Sequence, residues 1–97
     1  MIMEGSGTMR AVVTVTGKDT VGILARVSTA VAEANGNIIE VSQNVGQGIF
    51  SMHMLFEIDH LNMAFKTLSD NLTRLGEEIG LKIHCMHEDV FMTMHHI

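Results

Sequence analysis

An α+β fold, a four-stranded antiparallel sheet with two helices on one face, is what this sequence predicts, and three observations predict it. Four short segments carry strand character. Two longer ones repeat apolar residues at helical spacing, and Gly-bearing turns separate the segments in the order β-α-β-β-α-β. Right-handed crossovers fold that order into one layer of sheet covered by one layer of helices.

The first segment, Arg10-Ala11-Val12-Val13-Thr14-Val15-Thr16, is β-branched and ends at Gly17. It reads as a central strand because both of its faces are apolar or Thr. Ile23, Leu24, Val27, Ala30, Val31 and Ala34 then recur at helical spacing, with Arg26, Thr29 and Glu33 between them. Asp19 or Thr20 can cap the start of this helix, and Asn35-Gly36 stops it through a left-handed turn. From Asn37 to Val45, Ile39, Val41 and Val45 alternate with Glu40, Ser42 and Asn44. Gly46-Gln47-Gly48 turns the chain into Ile49 to Ile58, where Phe50, Met52, Met54, Phe56 and Ile58 share a face, so the two strands form a hairpin. Leu61, Ala64, Phe65, Leu68, Leu72, Leu75 and Ile79 mark a second amphipathic helix stopped by Gly80, and Leu81 to His87 is the last strand.

This is the element order of a ferredoxin-like sandwich. Its second sheet face, carrying Val12, Thr14, Ser51, His53, Leu55, Lys82, His84 and Met86, is too apolar to stay wholly wet. A second copy would cover it or extend the sheet edge to edge. The tail Glu88 to Ile97, with Val90, Phe91 and Met94, is expected to form a short helix on one of these surfaces. Residues 1–8 read as a disordered tail or an expression scar, which leaves 9–97 as a single domain with a short C-terminal extension.

Composition excludes several function classes. A 97-residue chain buries only roughly 60 to 65% of its unfolded surface, which favours a homodimer. A net charge of −5 with six scattered Lys and Arg opposes nucleic acid as a partner. No apolar run approaches the roughly 20 residues that span a bilayer, so the expected location is cytoplasmic, with no membrane partner. The single Cys85 excludes an intramolecular disulfide and any CxxC motif, in keeping with a reducing compartment.

Function centres on Gly17-Lys18-Asp19-Thr20-Val21-Gly22, between the first strand and the first helix. Backbone N–H groups at a helix start have no intrahelical partner and carry partial positive charge, which suits a carboxylate. Gly22 would let a ligand carboxylate or a partner backbone approach closely, or would serve only tight helix-to-sheet packing. Asp19 would accept an ammonium group, cap the helix, or both. Asn37 donates and accepts, which suits a zwitterion, although Asn after Gly also simply leaves a helix.

The run Val13-Thr14-Val15-Thr16-Gly17-Lys18-Asp19-Thr20-Val21-Gly22-Ile23-Leu24, followed by Gly36-Asn37-Ile38, resembles the ACT domain, in particular its stand-alone bacterial and archaeal versions. The resemblance extends from Met9 to about Ile97. It implies a dimeric, non-catalytic regulatory module without a cofactor, binding an amino acid or similar small metabolite between the first βα turn and a partner subunit. Such a module hands its signal to a regulated protein. On that resemblance the ligand site comprises Asp19, Thr20, Val21, Gly22 and Ile23 in the turn, with Asn37 and Ile38 opening the second strand. Gly17 stands where some amino-acid-binding members carry a side-chain donor, and Thr20-Val21 replaces the common Arg-Pro. The chain is also similar to glycine cleavage repressor-like proteins, which usually carry two such domains.

Six histidines raise the alternative of a metal-binding protein. Strand alternation, however, sends His84 and His87 to opposite faces, and His95 and His96 are adjacent and terminal, so no metal is expected. His53 and His84, if both on the open face, would make dimerisation sensitive to pH near neutrality. The Met residues on the strands read as core, and Cys85 as an inert buried thiol. Nothing identifies an enzyme: no nucleophile with its base, no paired carboxylates at a recognisable site, no P-loop or dinucleotide fingerprint. An acylphosphatase would need an anion-binding Arg in the first turn, an RNA binder exposed aromatics in basic surroundings, and a metallochaperone paired cysteines. An interaction-only dimeric adaptor without a small ligand stays as the alternative to the sensor.

Overall fold

The computed structural model describes residues 9–18 and 22–94. Its elements are β1 (Arg10–Lys18), α1 (Ile23–Glu33), β2 (Asn37–Gly46), β3 (Ile49–Glu57), α2 (Phe65–Ile79), β4 (Lys82–His87) and α3 (Glu88–Met94). The strands form one sheet in the order β2-β3-β1-β4, with antiparallel neighbours throughout, as the ferredoxin-like reading requires. Because β1 and β2 are each antiparallel to β3, they run parallel to one another.

The alternation in β1 and β3 sends Val13, Val15, Met52, Met54 and Phe56 inward, where they meet Val27 and Val31 of α1 and Leu68 and Leu72 of α2. All of these side chains are buried. Each contributes about 1.5 to 3 kcal/mol by leaving water. Gly76 lets α2 lie close on β4, since a Cβ there would come within 2.7 Å of the Leu81 carbonyl oxygen and 2.9 Å of Ile83 Cγ1.

Helix α1 ends where the sequence places its stop. Asn35 adopts φ 67°, and the Gly36 N–H donates to the Val31 carbonyl at 2.9 Å. The second helix starts later than its periodicity suggests, at Phe65 rather than Leu61. Asn62 is the reason, because its backbone N–H donates to the Ala34 carbonyl at 3.0 Å and its side-chain amide to the Glu33 carbonyl at 2.8 Å. The segment before α2 is thus spent on the last carbonyls of α1, while Leu61 still packs against the core.

Strand β2 is an edge strand, and none of the buried core residues comes from it. Val41 and Val45 lie opposite Met54 and Phe50, on the helix side, yet remain 37% and 57% exposed. Two consecutive isoleucines break its alternation: the register shifts between Ile38, opposite Phe56, and Glu40, opposite Leu55. This bulge carries Glu40 and Ser42 to the sheet face away from α1 and α2. On that face α3 supplies part of the cover expected of a second copy. Its Phe91 ring meets His53 edge-on with centroids 5.4 Å apart, and Glu88 pairs with Arg10 at 3.0 Å.

Candidate functional site

Gly22 occupies the capping position of α1, at φ 83° and ψ 8°, and its carbonyl accepts the Arg26 N–H at 3.0 Å. This corrects the expectation of an Asp19 or Thr20 cap; Asp19, Thr20 and Val21 themselves lie outside the described residues. A glycine has no side chain to satisfy the N–H groups of the first turn, so those of Ile23, Leu24 and Ala25 have no partner within the helix. Among the described residues, a Cβ on Gly22 would meet nothing within 4 Å beyond its chain neighbours. Close packing is therefore not why glycine stands here; the left-handed backbone is. The Ile23 side chain is buried in the core, so this residue can offer a ligand only its backbone.

Gly17 has the opposite cause. A Cβ there would overlap the end of the Leu81 side chain, so a larger residue at this position would require Leu81 to move. What the turn does have nearby is positive charge. Lys18 ends β1, and Lys82 of β4 sits two residues back in register, opposite Thr16. Both line a cavity of about 520 Å³ at this end of the sheet, with Ile49, Ile79 and Gly80. In a chain of net charge −5, Lys18 and Lys82 thus gather positive charge at the end of the sheet from which the chain leaves β1. Strand spacing alone does not show this pairing, because it depends on the β1–β4 register.

Asn37 and Ile38 are elsewhere. Asn37 lies opposite Glu57, which lies opposite Arg10, whereas Lys18 and Gly46 lie opposite Ile49 at the other end of the sheet. At ~3.3 Å per residue, the length of β1 separates them by roughly 26 Å. Within one chain the two halves of the expected site do not converge. The Asn37 amide donates instead to Glu57 Oε1 at 2.8 Å, and Ile38 packs against the core.

The histidines separate as strand alternation dictates. His53 and His84 both lie opposite Thr14, in one row on the face under α3, whereas His87 stacks on Phe65 of α2 with ring centroids 4.2 Å apart. Among the described residues no three His, Cys, Asp or Glu side chains converge; His95 and His96 lie outside them. Burial pushes the Cys85 thiol up to about 12, which keeps it protonated and a poor nucleophile at neutral pH. No helix among the described residues is long and apolar enough to cross a membrane.

Comparison with known proteins agrees with this architecture. A UPF0237 protein of Listeria innocua is 47% identical over 87 residues, covering 90% of this chain and 98% of its own length. The structure of an ACT domain protein from Streptococcus pneumoniae superposes with a TM-score of 0.75 at 33% identity, over 88% of this chain and 96% of that one. A putative glycine cleavage system transcriptional repressor matches with a TM-score of 0.70 at 28% identity, over 84% of this chain and 47% of that one. The family model for the ACT domain matches residues 9–86, from the first strand through β4. With a match of that extent on this strand order, the chain belongs to the ACT domain family of small regulatory modules.

Proposed function

We propose that this protein is a non-catalytic, cytoplasmic sensor of an amino acid or similar small metabolite, working as a homodimer that signals to a regulated protein. The observation that carries the reading is that no described residue fills the space at Gly22, beside helix N–H groups without an intrahelical partner. The ligand carboxylate sits on the backbone from Val21 to Ile23, with Lys18 and Lys82 adding attraction, while Asp19 takes the ammonium group and Thr20 lines the turn.

The dimer follows from the separation of Asn37 from that turn. Pairing two exposed β2 edges antiparallel places the start of one β2 against the end of the other. Gly46 marks that end and lies on the side of the sheet where Lys18 and the turn are. Asn37 and Ile38 of a second copy then approach the Gly22 turn of the first, which completes the site. Val41 and Val45 lose their exposure in the same step.

Calorimetric titration against a panel of amino acids, with thermal denaturation alongside, tests the reading. Ligand at about a hundred times Kd stabilises the fold by roughly 2.7 kcal/mol. Asn37→Ala should weaken binding, and Val41→Lys should give a monomer by sedimentation that no longer responds to ligand. If no amino acid or related carboxylate binds the dimer, the interaction-only adaptor replaces the sensor.

A further inference from the structure

A second cleft lies on the opposite sheet face, between α3 and the strands, and has a volume of about 270 Å³. Val12, Leu55, Phe91 and Met92 supply its apolar lining. Its polar groups are Glu40, Ser42, His53 and Glu88. Two features of the fold bring these together. The β2 bulge turns Glu40 to this face, opposite Leu55; without the shift, Glu40 would lie opposite Met54 on the helix side. Helix α3 is held over the strands at Arg10–Glu88, 3.0 Å, and at the edge-on contact of Phe91 with His53.

The charges within the cleft are unequal. Glu88 is neutralised by Arg10, whereas Glu40 makes no hydrogen bond or ion pair among the described residues. An uncompensated carboxylate beside an aromatic ring and an apolar floor recognises a cation with an apolar body. A free carboxylate on the ligand would meet Glu40 unfavourably. We infer that this cleft is a second small-molecule site, separate from the Gly22 turn, that takes a small amine carrying an aromatic or aliphatic group and no carboxylate. This inference does not rest on the amino-acid reading, since the two sites share no residue.

Phenethylamine is the probe, and 2-phenylethanol is its uncharged counterpart. Backbone amide chemical shifts followed through a titration of the full chain report the location. The expected result is saturable shifts at Val12, Leu55, Phe91 and Met92, with residues 17, 18 and 22–24 unmoved. Glu40→Gln, which lies outside the core and is checked by sedimentation for an unchanged oligomeric state, should weaken phenethylamine roughly two- to five-fold, the range of an exposed ion pair. The alcohol should bind the wild type more weakly by a similar factor. Shifts that do not saturate, shifts confined to the first turn, or equal affinity for amine and alcohol would each overturn the inference. A Glu40→Gln protein that binds the amine as tightly as the wild type would do the same.

Discussion

Replacing Gly22 with alanine separates the two reasons a glycine stands at a helix start. In the structure its φ is 83°, and a Cβ would find no atom of the described residues within 4 Å beyond its chain neighbours. The methyl group therefore adds no clash and loses no packing, and only the left-handed backbone opposes it, at about 1 to 2 kcal/mol. A domain of this length loses roughly 4 to 8 °C of Tm per kcal/mol, so Gly22→Ala should melt about 4 to 16 °C below wild type. Gly22→Asn should lose less, because Asn tolerates this region, and Gly22→Val more, because branching at Cβ aggravates it. D-alanine at this position, introduced by peptide ligation, prefers positive φ and should melt at or above the wild-type temperature. Thermal and urea denaturation at one fixed protein concentration keeps any dimerisation constant across the series. A neutral Gly22→Ala would refute the positive φ. A loss beyond about 3 kcal/mol, equal for Ala and Val and not relieved by D-alanine, would show that the space is filled and return the glycine to a packing role.

Three further outcomes follow from the geometry. Gly76→Ala should lower stability by about 1 to 2 kcal/mol in urea denaturation, although alanine is the better helix former, because its Cβ would press on the Leu81 carbonyl at 2.7 Å; a gain in stability would mean that α2 sits farther from β4. Asn62→Ala should cost about 1 kcal/mol by uncapping the Glu33 carbonyl, read as faster amide exchange in the last turn of α1. For Cys85, the folded pKa of about 12 exceeds the ordinary 9.0, so above pH 9 the unfolded chain releases a proton that the folded chain keeps. Stability is therefore unaffected by this group below pH 9 and falls by up to about 1.4 kcal/mol per pH unit above it. Cys85→Ala should flatten that part of the wild-type pH profile, and an unchanged alkaline slope would show that the thiol is not desolvated.

Patterns with short reach were legible in the chain itself. Helix and strand periods located α1, β1, β3 and β4, since a period of 3.6 or 2 is written directly into which residues are apolar. The stop at Asn35-Gly36 was equally readable, because left-handed turns select those residues locally. Leu61 misled for a related reason. It keeps the helical spacing and packs on the core, but Asn62 is drawn to the end of α1, a demand from a helix 29 residues earlier that no local period records.

What sequence alone determined, then, is the element order, the inward faces of the central strands and the left-handed stop that ends α1. Those follow from local conformational preference and from the alternation of apolar and polar side chains. Tertiary structure decided which ends of the sheet each element reaches. It put Lys82 beside Lys18, set Asn37 about one strand length from Gly22, and turned Glu40 through a bulge onto the face under α3. The physical reason is register: a shift of one residue in strand pairing exchanges the two faces of a sheet and moves neighbours along it, and that choice rests on how the whole core packs together.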